Sequence, residues 1–114
     1  MIDEYITGSH MMVNGKTYRQ DLKIIRSEVK GNWWRREGHC LNSDDIQDIL
    51  AARPKVLVIG TGYAGNMRVP GSLLRTIENH QIKVIAETTA DATRTFNRLQ
   101  KERLDVAGAF HLTC

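Results

Sequence analysis

The stretch Val56–Met67, VLVIGTGYAGNM, carries the most chemistry for its length. An apolar run leads into Gly60-Thr61-Gly62-Tyr63-Ala64-Gly65, which satisfies G-x-G-x-x-G, the pattern of a dinucleotide-binding loop. That chemistry has three requirements. A strand must precede the glycines. A helix must start within the loop, so that its free N–H groups meet a pyrophosphate. An acidic residue must stand about twenty positions on. Val56–Ile59 meets the first requirement and Glu87 nearly meets the third. The second fails, because Asn66, Met67, Arg68, Val69 and Pro70 intervene, and Pro70 disfavours helical backbone at Val69. Gly60, Gly62 and Gly65 therefore read as a sharp turn at a strand end. Such ends are also where α/β folds bind ligands. Gly60, Thr61, Gly62 and Tyr63 thus stay candidate contacts for something smaller, with Arg68 or Arg36 meeting an anion.

Three other constellations carry chemistry. Trp33-Trp34-Arg35-Arg36 interleaves aromatics with arginines, as single-stranded nucleic acid would require. In a strand, however, Trp33 and Arg35 share one face and Trp34 and Arg36 the other. The expectation is one core Trp and one half-exposed Trp with Arg packed over it, and no DNA or RNA partner. His39, Cys40, His111 and Cys114 form a legal zinc set by residue type. Their spacing speaks against it: the adjacent His39 and Cys40 point apart, and there is no C-x-x-C. Cys40, beside Arg35, Arg36 and His39, could have an activated thiol, but no base and orienting group can be placed beside it. No paired carboxylates stand out. Asp44 and Asp45 read as helix-start residues, Thr88 and Thr89 as strand end and cap, and Glu87 has no evident partner. The sequence thus implies no catalytic residues, no metal ligands and no cofactor.

The elements that must position these residues fall into two zones. Up to about Glu37 the chain is strand-like. HMMVNGKTYR is two extended runs around Asn14-Gly15, the favoured pair for a type I′ hairpin turn. Leu22–Ser27 and Asn32–Glu37 read as further strands. Gly8–Met12, GSHMM, has the look of a cleaved tag, but seven residues precede it and it reads as native. The second zone alternates helix and strand. A helix capped by Asn42 or Ser43 buries Ile46, Ile49 and Leu50 and ends at Pro54. Then come the strand KVLVIG, a helix over Ser72–Asn79, a strand over Lys83–Thr88, a helix capped by Thr89 with Ala92, Phe96 and Leu99 inward, and a central strand over Val106–Leu112. Strand–helix alternation argues for parallel crossovers, and the N-terminal hairpin region adds antiparallel strands, giving a mixed sheet.

The 114 residues suit one domain spanning 1–114, with 41% hydrophobic and 25% charged residues, enough for a packed core. The net charge of +3 is mildly basic, with the positive residues scattered rather than clustered. No apolar run approaches a membrane span, MIDEYITG does not resemble a signal peptide, and two cysteines are too few for a disulfide framework. A reducing cytoplasm is the expected location, with no membrane association.

The ordered set of motifs resembles the Mth938-like family of domains of unknown function. The matching features are the Asn14-Gly15-Lys16-Thr17-Tyr18 turn with Asp21 after it, Trp34-Arg35-Arg36-Glu37, VLVIGTGYAGNMRVP with Pro70, TADATRTFN from Thr89 to Asn97, and AGAFHLTC at residues 107–114. The resemblance implies a three-layer α/β fold around a mixed sheet, with an N-terminal antiparallel hairpin and about three helices. Members lack an established enzymatic activity. The expected function is therefore a non-enzymatic module binding a protein partner, in assembly or regulation. Its contact surface would be the glycine loop and Trp33–His39, and a homo-oligomer stays open. The alternative is a small-molecule or catalytic site at the same place, using Arg36, His39 and Tyr63.

Overall fold

Strand β6 (Val56–Thr61) is buried at every residue, and the fold is organised around it. In the computed structural model, which describes residues 1–114, its side chains alternate between two cores. Leu57 and Ile59 face one, and Val56 and Val58 the other. Parallel neighbours flank it: β7 (Lys83–Glu87) on one side and β8 (Val106–His111) on the other. β8 continues to the antiparallel hairpin of β4 (Leu22–Ile25) and β5 (Glu28–Lys30), so the five-stranded order is β5-β4-β8-β6-β7. The mixed sheet and the central place of β8 are as the sequence implies.

One core is covered by a 3-10 turn (Ser43–Ile46), helix α1 (Gln47–Ala52) and helix α2 (Gly71–Asn79), through Ile46, Ile49, Leu50, Leu73 and Ile77. The other is covered by helix α3 (Thr89–Lys101), through Ala92, Phe96 and Leu99. It is completed by a separate antiparallel sheet of β1 (Ile2–Ile6), β2 (His10–Val13) and β3 (Lys16–Tyr18). Three layers result.

The structure corrects several boundaries. The Asn14-Gly15 hairpin forms with both residues at positive φ, 49° and 82°, but it builds the small sheet rather than joining the central one. Its β2 contains most of GSHMM, with Met11 fully buried. β1 has no counterpart in the sequence reading. It is held by its pairing with β2, by Asn97, whose amide spans the Ile2 N–H (2.9 Å) and carbonyl (2.7 Å), and by the Tyr5 hydroxyl, which donates to the Leu112 carbonyl at 2.6 Å. The strand expected over Asn32–Glu37 is instead β5, one turn earlier, and 32–37 is irregular. The single helix after Asn42 is split into the 3-10 turn and α1, and Arg53 closes it in left-handed conformation.

Two tests follow from the packing. A Cβ on Gly108 would run into the Phe110 ring, which meets Phe96 edge-to-face at 5.7 Å, while β4 and β6 hold the Gly108 backbone from both sides. Gly108→Ala should therefore cost about 1–3 kcal/mol in denaturant unfolding, the range for overpacked cores. Asp48 binds Lys23 at 2.8 Å and Lys30 at 3.2 Å. Burial alone raises its pKa, but hydrogen bonding and charge from the two lysines outweigh that and hold it below its ordinary value. The folded chain then sheds this proton more readily than the unfolded one. The associated stability is complete above about pH 5 and is lost as pH falls through the folded-state pKa. Unfolding measured against pH should show a shallower acid decline for Asp48→Asn than for wild type.

Candidate functional site

The residues singled out by the sequence meet at one end of the central sheet, where β6 and β8 finish side by side. Thr61 pairs with His111 there. The glycine loop leaves β6 and folds over the continuation of β8, residues 112–114. A Cβ on Gly62, at φ 103°, would run into the backbone of Thr113 and Cys114. This close approach is what requires glycine.

Most of the loop's N–H groups are already committed, Ala64 being the exception. Gly62 donates to the Thr89 hydroxyl (2.9 Å), Tyr63 to the Thr113 carbonyl (3.2 Å) and Gly65 to the Gly62 carbonyl (3.2 Å). Asn66 donates to the Cys114 carbonyl (3.0 Å), Met67 to Thr61 (3.0 Å) and Arg68 to His39 (2.8 Å). Helix α2 begins only at Gly71, after Pro70. A phosphate lying on this loop would find neither a converging set of free donors, since Ala64 alone is unpaired, nor a helix N-terminus. Glu87, the acid a nucleotide ribose would need, accepts the Thr95 hydroxyl at 2.6 Å; this is the partner the sequence did not reveal. Thr89 is likewise not a cap. It is the first residue of α3, fully buried, and its hydroxyl bridges from the Gly62 N–H to the His111 carbonyl at 2.5 Å.

The 33–42 segment reaches the same end of the sheet and is held in three ways. The Trp33 N–H donates to the Asp21 carbonyl at 2.8 Å. The buried Asp45 carboxylate accepts the N–H groups of Arg36 (3.0 Å) and Asn42 (2.8 Å), and its carbonyl accepts the Trp33 indole N–H (3.0 Å). Arg68 bridges His39 and Leu41 through its own N–H and C=O. The alternation expected for this stretch survives without a strand. Trp33 is 7% exposed and Trp34 79%. The Arg35 side chain is buried with its guanidinium 4.9 Å from the Trp33 ring centroid, while Arg36 points out, 3.4 Å from Asp44. The packing arginine thus covers the core Trp, not the exposed one. Trp33 is a core residue, and of the two tryptophans only Trp34 is free to touch a partner.

A polar cluster missed by the sequence reading joins these segments. The Asp21 carboxylate accepts Arg35 Nη1 at 2.6 Å, His111 Nδ1 at 2.8 Å and the Leu112 N–H at 2.8 Å. Burial raises its pKa, but these donors and the nearby positive charge outweigh burial and depress it overall. Arg35 Nη2 also reaches the Gly38 carbonyl at 2.8 Å. Arg19, Gln20, Trp33, Trp34, Gly38 and Thr113 complete a cleft of about 240 Å³ over Asp21, Arg35 and His111. No cavity is lined by Gly60, Thr61, Gly62, Tyr63, Arg36, His39 or Arg68. Tyr63, half-exposed, and Arg68 lie at the surface, and Thr61 is buried with its hydroxyl on the Glu87 carbonyl.

The fold also brings His39, His111 and Cys114 together, with one donor atom of each within 4.8 Å of the others. The spacing argument that set them apart fails here, because the Arg68–His39 contact carries one segment onto the other. Only Cys40 is left outside.

Removing one member of a buried pair strands the other charge, at a cost of about 3–5 kcal/mol. Arg35→Ala should therefore unfold at markedly lower denaturant, while the exposed Arg36→Ala should stay within about 0.5 kcal/mol of wild type.

Known structures share this architecture. A protein from Bartonella henselae, described as an outer membrane protein, is 26% identical, with 99% of this chain and 94% of that one covered and a TM-score of 0.83. MT938 (19% identical, 100% and 98% covered, TM-score 0.82) and a Mth938-like domain from Bordetella pertussis (21%, 98% and 85%, 0.78) share the fold. The sequence pattern defining the proteins of unknown function DUF498/DUF598 matches residues 2–111, and the chain belongs to this Mth938-like family.

Proposed function

We propose that the domain acts by binding a protein partner at the end of the sheet where the 33–42 segment, the glycine loop and residues 111–114 meet. The observation that carries this reading is Trp34, 79% exposed on backbone fixed at Trp33, by the Asp21 carbonyl, and at Arg36, by the Asp45 carboxylate. A large aromatic on pre-ordered backbone loses little freedom on binding, which is what an interface anchor needs. Tyr63 extends the surface, since it is joined to Thr113, and Thr113 shares the cleft with Trp34. Arg36 and Arg68 are exposed on the two segments that meet there, so the partner presents an apolar pocket for the indole with acidic side chains at its rim. A non-enzymatic, assembly or regulatory role fits this surface. A small anionic ligand is the second reading. It is supported by the cleft over Arg35 and His111 rather than by the glycine loop.

Residence in a reducing cytoplasm is part of the proposal, supported by two unpaired cysteines and by the absence of a helix long and apolar enough to cross a membrane. The name of the Bartonella henselae relative points elsewhere, so fractionation of the native host belongs with the test. Cross-linking and mass spectrometry from that host should recover a protein joined near Trp34. Trp34→Ala should retain wild-type thermal stability and lose that partner by at least tenfold. Equal recovery by the variant, or a bound metabolite with no protein, would reverse the reading.

A further inference from the structure

We propose that His39, His111 and Cys114 form a binding site for a zinc-class transition-metal ion, with Asp21 as the residue that orients His111. This inference is independent of the partner-binding reading. It starts from the three donors within 4.8 Å of one another and from a second observation, the state of the His111 ring. The Asp21 carboxylate, paired with Arg35 Nη1 at 2.6 Å and with the Leu112 N–H at 2.8 Å, accepts hydrogen bonds. The 2.8 Å contact from its Oδ2 to His111 Nδ1 therefore places the proton on Nδ1. Arg35 Nη2 also stands 3.0 Å from Nδ1, but it donates to the Gly38 carbonyl at 2.8 Å, and Asp21 Oδ2 is the nearer group to Nδ1 and the one that needs its proton. In the neutral ring Nε2 then carries a bare lone pair. That atom is buried and has no hydrogen-bond partner, in a side chain only 6% exposed. A buried acceptor left unsatisfied is costly. A carboxylate on one imidazole nitrogen with the other nitrogen free is the arrangement of a metal-ligating histidine.

The remaining donors are held by the glycine loop. The His39 carbonyl accepts the Arg68 N–H and the Cys114 carbonyl accepts the Asn66 N–H, so residues 66–68 set the backbone of both outer ligands. Gly62 leaves the space that Cys114 occupies. Zinc bonds of about 2.0–2.1 Å to nitrogen and about 2.3 Å to sulfur require donors closer than 4.8 Å. The exposed His39 side chain, whose ring stands edge-on to that of His111 with centroids 5.9 Å apart, is free to close that gap. Two imidazoles and one thiolate suit Zn²⁺ and leave a fourth position open, as in zinc sites that exchange a ligand. Binding displaces the thiol proton of Cys114, which leaves to solvent as the thiolate takes the ion.

The test is titration of the metal-free protein with Co²⁺ and Zn²⁺, followed by absorption and by metal analysis after dialysis. Wild type should take one equivalent. With Co²⁺ it should show a thiolate-to-metal charge-transfer band and the visible bands of a tetrahedral ion. Cys114→Ser should lose the charge-transfer band, and His39→Ala should bind at least tenfold more weakly; both positions are accessible enough to leave metal-free thermal stability unchanged. Cys40→Ser should behave as wild type. Asp21→Asn should weaken binding about 10–100-fold, the range for outer-shell partners of ligating histidines. No cobalt band in wild type, a band that survives Cys114→Ser, or a band lost in Cys40→Ser would overturn the proposal.

Discussion

The Asp21 carboxylate is the tie on which the end of the molecule holding the candidate site depends. Two segments remote in sequence bring three donors to its two oxygens: Arg35 from the irregular 33–42 stretch, and His111 at the end of β8 with the Leu112 N–H just beyond it. An ionised carboxylate with that many donors is well satisfied despite its burial, and its depressed pKa reflects this. Without the tie, 33–42 would have no ladder to hold it, since its only strand-like contacts are isolated bridges at Glu37, Cys40 and Arg68. Asp45 does the same from the other side of the segment. Two buried carboxylates thus replace the hydrogen bonds that a strand would have supplied.

The glycine loop takes its meaning from the same accounting. Its sequence has the form of a phosphate cradle, but a cradle works through N–H groups that face outward and unpaired. Here those groups, Ala64 apart, are spent on Thr113, Cys114, Thr89, His39 and the loop's own carbonyls. Gly62 is needed for close approach to the protein's own backbone rather than to a ligand. The loop is a clasp across the sheet end, and side chains rather than backbone amides carry whatever recognition occurs there.

Much of this was legible in the sequence where one local signal dominated. Continuous burial in β6 and β8, the period of α3 and the Asn14-Gly15 turn each follow from neighbouring residues alone. β1 was not legible, because only Ile2 of IDEYI is buried, and long-range bonds to Asn97 and Leu112 hold the strand. β5 was missed because Arg26 and Ser27 make its turn at positive φ without glycine or asparagine, the Arg26 side chain being fixed by the Ala52 carbonyl. The site was half legible. The glycine turn, the missing helix start and the core-versus-surface division of the two tryptophans could be derived. The Asp21–Arg35–His111 cluster could not, since nothing local marks a carboxylate for a partner ninety residues away.

Energetics bears on why such a cluster is there. A buried ion pair is a poor source of stability, because desolvation of both groups offsets most of their attraction, and apolar replacements of similar volume often do as well. The neighbouring cores show that this chain packs apolar groups without difficulty, with Leu41, Ile46 and Ile59 fully buried. What Asp21 and Arg35 supply instead is direction. They orient His111, whose Nε2 has no partner, and their pairing anchors Arg35 on one side of Trp34 while the Asp21 carbonyl holds Trp33 on the other. Stability alone requires neither an unpartnered buried nitrogen nor an exposed indole; each departs from what folding favours. Both lie at the same end of the sheet, and Asp21 secures both, His111 and Arg35 through its carboxylate and Trp33 through its carbonyl. The proposed site rests on that coincidence rather than on the G-x-G-x-x-G pattern.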